Sequence, residues 1–247
     1  MAEAMTGRGH IRIGTSGWHY VHWRGPFYPQ DVRSADYLAF YAGRFDTAEI
    51  NNSFYRLPSA ETVAHWAETV PAGFRFACKA SRFITHMKKL KDPTETTRAF
   101  FEVMGGLGRR MGPVLFQLPP HWRADPGRLD AFLAALPPGG RYAVECRDES
   151  WLAAPVYRVL ERHGAALCLY EIAGRRSRPR LTADFTYVRL HGPGEEAYRG
   201  SYDGRTLNGW ARRLGNWAAE GVDAWCYFDN DEAGYAPNDA RRLKAML

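Results

Sequence analysis

A short apolar run that ends in polar or charged residues occurs eight times along this chain. The eight runs lie at residues 11–16, 48–52, 74–79, 114–117, 143–147, 166–171, 187–191 and 225–230. They recur roughly every 30 residues, which is the length of one strand followed by one helix. Eight such units predict an α/β fold, namely a single (β/α)8 TIM-like barrel with parallel strands inside and helices outside.

The length of the chain fits one domain of this type. A (β/α)8 barrel typically needs about 250 residues, and the chain has 247. We expect a flexible tail at residues 1–10 and one barrel domain at residues 11–247. Asp92 and Asp125, each followed by proline, are predicted to cap helices inside that domain.

One unit of the repeat differs from the others. Between Glu171 and Tyr187 the sequence lacks the apolar spacing of an amphipathic helix. We therefore predict a short or missing helix between strands 6 and 7. The segment contains four arginines that either bind phosphates or form an exposed loop that keeps the protein soluble, and we favour the second interpretation: Arg175, Arg176, Arg178 and Arg180.

The composition narrows the class of protein. The formal net charge of +6 and the sequence pI of about 9.2 suit an anionic ligand, and they allow nucleic acid without favouring it. The sequence shows neither a signal peptide nor a membrane-spanning run, so we expect a cytoplasmic protein with no membrane contact. It does not predict the oligomeric state. Four cysteines lie in predicted strands and are expected to be reduced core residues: Cys78, Cys146, Cys168 and Cys226.

Several common catalytic motifs are absent from the sequence. It contains no GxxxxGK[ST] loop, no GxGxxG after a strand and no GxSxG elbow, which argues against nucleotide-driven kinases, ordinary dinucleotide oxidoreductases and serine hydrolases. His19 and His22 have a ligand-like spacing, but no third ligand lies near them in sequence. The residues thus predict no cofactor and no metal ligands, and they leave room for a divalent metal ion.

Polar side chains alternate with apolar ones at the ends of three predicted strands. Residues two apart on a strand point to the same side, so the pairs Glu49 and Asn51, Glu145 and Arg147, and Arg189 and His191 each share a face. Charges at the end of an apolar strand are costly unless they are paired or face water. This pattern predicts a functional pocket at the C-terminal mouth of the barrel, with a structural ion-pair network as the alternative.

The predicted pocket combines proton-transfer groups with cations. Glu49 or Glu145 is the candidate base, and His191 or His86 the candidate proton donor. Lys79 is a further candidate catalytic residue, as a fixed cation or, if desolvated, as a reactive amine. Lys79, Arg147 and Arg189 are expected to hold an oxyanion, and the remaining predicted substrate-binding residues are Trp18, Asn51, Tyr55, His86, Gln117 and Asn230. The glycines of residues 192–194 are a weaker candidate for a phosphate-binding loop.

The motifs together resemble those of the YecE-like family, also known as domain of unknown function 72. The matching segments cover nearly the whole chain from Ile11 onward, and they include residues 13–18, 49–58, 76–80, 85–86, 115–120, 145–147, 187–192 and 227–230. The resemblance implies a TIM-like barrel, in agreement with the strand count, and it implies no established activity.

Three positions depart from the family pattern that the resemblance implies. Asp148 stands where members often have histidine, Glu171 where aspartate is usual, and Asp229 where asparagine is usual. The first weakens a mechanism that needs a histidine beside Arg147. The other two keep or add negative charge and could alter the preference for a ligand or metal.

Three functions are consistent with these residues. The leading hypothesis is a barrel enzyme that binds or acts on a small anionic compound, phosphorylated or sugar-like, at the C-terminal mouth by acid-base chemistry. The second is a metal-dependent phosphoesterase or nuclease that resembles the endonuclease IV barrels. The third is a non-catalytic ligand-binding barrel, because the fold does not determine the function.

Overall fold

Eight parallel strands form a nearly closed barrel in the computed structural model, which describes residues 7–247. The barrel strands are β1 (Ile11–Thr15), β2 (Thr47–Ile50), β3 (Arg75–Lys79), β4 (Met111–Gln117), β5 (Tyr142–Glu145), β6 (Ala166–Ile172), β8 (Phe185–Leu190) and β9 (Asp223–Phe228). Their order around the barrel is β1-β9-β8-β6-β5-β4-β3-β2. A bridge between Ser16 and Glu49 joins the two ends of this sheet, just beyond β1 and within β2. The predicted (β/α)8 TIM-like barrel is confirmed.

The helices connect consecutive strands on the outside of the barrel. They are α1 (Tyr37–Ala42), α2 (Ala60–Thr69), α3 (Pro93–Met104), α4 (Pro126–Ala134), α5 (Ala154–Arg162), α6 (Gly204–Ala219) and α7 (Tyr235–Lys244). Asp125 caps α4 as predicted, because its Oδ1 accepts a hydrogen bond of 3.0 Å from the amide of Arg128. Asp92 lies at the start of α3, with Pro93 as the first helical residue, as predicted. The predicted capping bond is wrong: the backbone of Asp92 is left-handed, with φ of 47°, and its side chain makes no capping bond to α3.

The unit between β6 and β8 differs from the rest, as predicted. Within the described residues it contains no helix, and a two-residue strand, β7 (Arg175–Arg176), instead pairs antiparallel with β6. Arg176 forms an ion pair with Glu171 at 2.9 Å, and Arg180 forms one with Glu161 at 2.8 Å. Two of the four arginines therefore hold this segment against its neighbours.

Two apolar cores support the barrel. The larger lies between the strands and the surrounding helices, and the smaller fills the inside of the barrel with residues that include Leu115, Phe185, Tyr187, Trp225 and Tyr227. The four cysteines are buried and free, in agreement with the prediction. Because the barrel interior is filled by side chains, it separates the C-terminal mouth from the N-terminal end.

Only part of the predicted N-terminal tail can be compared with the structure. Residues 1–6 lie outside the described part of the chain. The amide of Gly9 donates to the carbonyl of Ala218 at 2.8 Å, and that of His10 donates to Asp223 Oδ1 at 2.7 Å. Among residues 7–247, no helix has the length and apolar character that crossing a membrane requires.

Candidate functional site

Arg189 lies at the centre of a buried ion network at the C-terminal mouth. It is the fifth residue of β8, and only 1% of its side chain is exposed. Its guanidinium contacts the carboxylates of Glu49 at 2.8 Å, Glu145 at 3.1 Å and Asp229 at 3.0 Å. The three carboxylates outweigh the cost of burying this cation, and they raise its pKa well above the usual range. Because carboxylates enclose the guanidinium on three sides, Arg189 mainly holds the network together and has few donors left for a ligand.

Glu49 joins three neighbouring groups at the mouth. Its Oε2 accepts hydrogen bonds from Tyr187 Oη at 2.7 Å and Arg189 Nε at 3.0 Å, and its Oε1 accepts from Ser16 Oγ. The side chain is fully buried. Both carboxylate oxygens thus already accept hydrogen bonds. This favours a role in which Glu49 positions its neighbours over a role as a free base.

Glu145 is the second predicted base. It ends β5 and forms ion pairs with Arg147 and Arg189. Burial opposes its ionisation, but Arg147 and Arg189 together outweigh burial and hold the pKa of the Glu145 carboxyl below its usual range. An ionised carboxylate with a lowered pKa is a weak proton acceptor at neutral pH.

His191 links Arg147 to Asp229. Its Nε2 lies 3.3 Å from Arg147 Nη2 and 3.4 Å from Arg189 Nη1, so that this nitrogen accepts hydrogen bonds in the neutral ring. Its Nδ1 lies 2.9 Å from Asp229 Oδ2 but makes no well-aligned hydrogen bond. Burial and Arg189 lower the pKa of His191, which favours the neutral form and gives no support to the predicted role as proton donor.

Lys79 differs from the other charges of the mouth. It ends β3, is 7% exposed and lies over the ring of Phe54, with Nζ 4.2 Å from the ring centroid. In the described part of the chain it forms no ion pair, whereas Arg147 and Arg189 do. Burial, assisted by Arg189, lowers the pKa of Lys79 to about 8. This amine is therefore a cation that can lose its proton close to neutral pH.

The predicted His86 lies beside Lys79. It belongs to the one-turn π-helix Phe83–Met87, and its ring packs edge-on against Phe54 with centroids 5.0 Å apart. Its Nδ1 lies 2.8 Å from Thr85 Oγ1. Burial and the neighbouring Lys79 lower the pKa of His86, so its ring is mainly neutral at neutral pH.

A cavity of about 270 Å³ lies between the loops that follow β1 and β2, and Tyr55 of its wall packs edge-on against Phe54. Its walls include the predicted residues Trp18, Asn51 and Tyr55. Trp18 is fixed edge-on against Trp66 at 5.3 Å, whereas Tyr55 is 72% exposed. Asn51 Oδ1 is buried and has no hydrogen-bond partner among residues 7–247. A buried acceptor without a partner is costly, so this atom suits a donor group on a ligand.

The other predicted binding residues have different positions. Gln117 ends β4 next to Glu145 in register and is half-buried at the mouth. Asn230 is buried and donates to Gly200 O at 2.8 Å and Asp239 Oδ2 at 2.9 Å, which ties the loop after β8 to α7. Arg147 is half-buried, with its guanidinium 4.9 Å from the centroid of the Tyr170 ring. Of these residues, Gln117 and Arg147 retain access to the mouth.

The glycine loop after β8 is a tight turn. Gly192 has a φ of +111°, and a Cβ atom there would come within 2.3 Å of the Arg199 carbonyl oxygen. Its amide already has a hydrogen-bond partner, because it donates to Tyr202 Oη at 3.0 Å. The loop places Tyr198 edge-on against His191, with ring centroids 5.5 Å apart. Gly192 is required by this turn, and its amide is not free for a phosphate.

Sequence reasoning left three members of the network outside the predicted site. Ser16, Tyr187 and Asp229 all contact Glu49 or Arg189. Each lies an even number of residues along the chain from another residue that points into the barrel. The alternation of side chains that identified Arg189 and His191 could therefore have identified these three residues as well. The residue type of Tyr187 gives no further signal, because tyrosine is common in apolar strands.

The three departures from the family pattern have distinct surroundings. Asp229 belongs to the network, where burial opposes its ionisation but Arg189 and His191 lower the pKa of its carboxyl. Glu171 pairs with Arg176 and accepts a hydrogen bond of 3.4 Å from Trp210 Nε1. Asp148 accepts from the amide of Ser150 at 3.0 Å at the start of a 3-10 turn. Only Asp229 contacts the network.

The described residues contain no group of three or more His, Cys, Asp or Glu side chains in an arrangement that could hold a metal ion. At the mouth the guanidinium of Arg189 occupies the space between the three carboxylates. This arrangement gives the metal-dependent alternative no structural support.

Solved structures with the same barrel include two proteins described as members of the DUF72 family. The one from Thermotoga maritima superimposes with a TM-score of 0.85 at 26% identity, over 96% of this chain and 99% of that chain. The one from Enterococcus faecalis superimposes with a TM-score of 0.82 at 18% identity, over 96% of this chain and 95% of that chain. A putative vitamin-B12 independent methionine synthase from Listeria monocytogenes matches with a TM-score of 0.51 at 8% identity over 95% of both chains, a likeness that concerns the fold alone.

A search of curated proteins gave no match. The family model described as protein of unknown function DUF72 matches residues 12–247. That match spans every strand of the barrel except the first residue of β1, together with all the residues of the ion network. The chain therefore belongs to the DUF72 family.

Proposed function

We propose that this protein binds a small anionic compound, phosphorylated or sugar-like, at the C-terminal mouth and transfers a proton on it through Lys79. The observation that carries the proposal is the state of Lys79, a buried cation with no ion pair in the described chain and a pKa lowered to about 8. An anion bound beside it would supply the missing counter-charge. A group with a pKa near the working pH also serves well in proton transfer.

The neighbouring groups support a division of roles. Arg189 pairs with Glu49 and Glu145, and this buried network forms a fixed floor beneath the ligand. Arg147, half-buried at the mouth, is the second cation within reach of an anion. The body of the ligand would occupy the cavity of about 270 Å³, where Asn51 Oδ1 can accept a hydrogen bond from a hydroxyl group.

Binding is tested by isothermal titration calorimetry with ribose 5-phosphate, with unphosphorylated ribose as the neutral probe. We expect the phosphorylated sugar to bind and Lys79→Met to weaken its binding by about tenfold or more, since a hydrogen bond to a charged group contributes about 1.5–3 kcal/mol. Lys88→Met is the matched control, because Lys88 also lies over a phenylalanine ring, that of Phe83, with Nζ 5.7 Å from the centroid. Equal binding by wild type and Lys79→Met would refute the role of Lys79.

Proton transfer is tested with the same probe in deuterated water. Exchange of a carbon-bound hydrogen, followed by NMR, is expected with wild type and not with Lys79→Met. Binding without exchange would support the non-catalytic barrel instead, since the ligand would then use the same residues without reaction.

A further inference from the structure

A second cavity, of about 490 Å³, opens at the N-terminal end of the barrel. Its walls include the first residues of four strands, Arg75, Met111, Tyr142 and Asp223, whereas the ion network lies at the strand ends. The volume falls in the range of about 300–1,000 Å³ that is usual for small-molecule sites. This end of a TIM barrel normally contributes to stability, so an open cavity there calls for a separate explanation.

The walls of this cavity carry excess positive charge. Arg12, Arg75 and Arg141 line it, and among the lining residues Asp223 is the acidic one. Arg141 pairs with Asp223 at 2.5 Å, and Arg12 pairs with Asp46, outside the cavity, at 2.9 Å. Arg75 donates only to backbone carbonyls, at 2.9 Å each, and pairs with no carboxylate in the described chain.

Aromatic rings hold two of these arginines in place. The guanidinium of Arg12 lies 5.3 Å from the ring centroid of Trp225, and that of Arg141 lies 5.3 Å from that of Phe185. Such contacts orient a cation without neutralising it. Trp225 lines the cavity and is 5% exposed, and its Nε1 is a buried donor with no partner among residues 7–247. A buried donor without an acceptor is costly and suits an anion.

Part of the cavity wall is apolar. It contains Phe101, Met111, Pro137, Pro138 and the ring of Tyr142. The Tyr142 hydroxyl donates to the carbonyl of Pro137 at 2.5 Å, which fixes the loop that closes this wall. The cavity therefore combines cations with an apolar surface.

We propose that this N-terminal cavity is a second binding site, which takes a small organic anion with an apolar body. Its carboxylate or phosphate contacts Arg12, Arg75 and Arg141, and its body packs against Phe101 and Pro137. The site is independent of the proposed function at the C-terminal mouth. In the free protein, burial and repulsion from Arg12 and Arg110 lower the pKa of Arg75, and a bound anion relieves that repulsion.

The experiment is ¹⁹F NMR of the full chain labelled with 5-fluorotryptophan, titrated with phenyl phosphate, with benzoate and with neutral phenol. Trp225 reports on the N-terminal cavity and Trp18 on the cavity at the mouth, so the two sites are read separately. Trp225→Phe and Trp18→Phe assign the two resonances. We expect either anion, but not phenol, to shift the Trp225 resonance in a saturable way, and the stronger of the two identifies the preferred head group.

Two variants decide between the sites. Arg75→Met is expected to weaken the Trp225 response by about tenfold or more, whereas Lys79→Met leaves it unchanged. Arg158→Met, on the exposed face of α5, is the control for a loss of one positive charge. A Trp225 response that survives Arg75→Met, or no Trp225 response to either anion, overturns the proposal. A change confined to Trp18 also overturns it and leaves the proposed function intact.

Discussion

At the C-terminal end of the barrel the guanidinium of Arg189 contacts three carboxylates, whereas Arg75 at the N-terminal end donates to the backbone carbonyls of Ala72 and Phe74. Both side chains point into the same barrel. The difference arises from the residues around them. Acidic residues lie next to the end of β2, at the end of β5 and directly after β9, whereas arginines begin β3 and precede β5.

This contrast separates two uses of charge. At the mouth, opposite charges are packed together and nearly excluded from water, so they hold the barrel ends in one arrangement. Lys79 beside them forms no ion pair with any residue from 7 to 247. At the N-terminal end, Arg12 and Arg141 have side chains that are 20% and 37% exposed, and the positive charge is only partly neutralised. The first arrangement contributes mainly to stability and positioning, and the second contributes mainly an attraction for anions.

The largest expected effect comes from breaking the buried network. Arg189→Met leaves the carboxylates of Glu49, Glu145 and Asp229 without their shared cation, and removal of one partner from a buried ion pair typically costs about 3–5 kcal/mol. Arg12→Met removes a more exposed pair and should cost about 1 kcal/mol or less. Urea denaturation of both variants at neutral pH measures the two losses in the free energy of unfolding.

A similar loss in the two variants would contradict the contrast between the ends. If Arg189→Met does not fold, Arg189→Lys provides the measurement. It keeps a positive charge but cannot contact three carboxylates with one planar group, so it should be less stable than wild type. Wild-type stability in Arg189→Lys would show that charge alone, and not the geometry of the guanidinium, holds the network.

A smaller effect is expected from the titration of Lys79. Its pKa is about 8 in the folded protein against 10.5 as the ordinary value. Between these pH values the unfolded chain retains the proton that the folded chain has lost, so the contribution of this lysine to the free energy of unfolding rises with pH. The full rise is about 3 kcal/mol, because each pKa unit corresponds to about 1.4 kcal/mol.

The measurement is the difference in unfolding free energy between wild type and Lys79→Met across that pH window. At pH values below that window, where Lys79 is charged in both states, the variant should be the more stable. The difference should shrink as the pH rises. A difference that is constant with pH would mean that Lys79 has an ordinary pKa, and the proton-transfer role proposed for it would lose its basis.

The repeat predicted the barrel because each strand is short, apolar and followed by polar residues at a regular distance. The missing helix was equally visible, since residues 173–184 contain few apolar side chains that could cover the barrel. The lack of a capping bond at Asp92 could not be predicted, because an Asp-Pro pair fits both a helical cap and the left-handed turn observed there. Local patterns thus predicted elements better than they predicted how an element begins.

The site could be predicted as a place but not as a set of roles. Strand periodicity placed Glu49, Glu145 and Arg189 at one mouth, and they do meet there. Whether a charged side chain is enclosed or open depends on distances between strands far apart in sequence, which no local pattern contains. For that reason Arg189 was expected to hold a ligand, whereas its donors are directed at carboxylates. The cationic N-terminal cavity was missed for a different reason, because arginines at strand starts resemble ordinary solvent-exposed charges.

The smallest effect is expected at Arg75, and its size tests whether the N-terminal charge is structural. Because Arg75 pairs with no carboxylate in the described chain, Arg75→Met should change the free energy of unfolding by about 0.5 kcal/mol or less. The change should be a slight stabilisation at low salt, where repulsion from Arg12 and Arg110 is least screened, and should vanish at high salt. Arg141→Met, which leaves Asp223 without its partner, is the matched control and should destabilise the protein by up to about 1 kcal/mol. If urea denaturation instead shows that Arg75→Met lowers the free energy of unfolding as much as Arg141→Met does, then Arg75 stabilises the fold. Its positive charge would then be neutralised within the protein and would not be available to bind an anion.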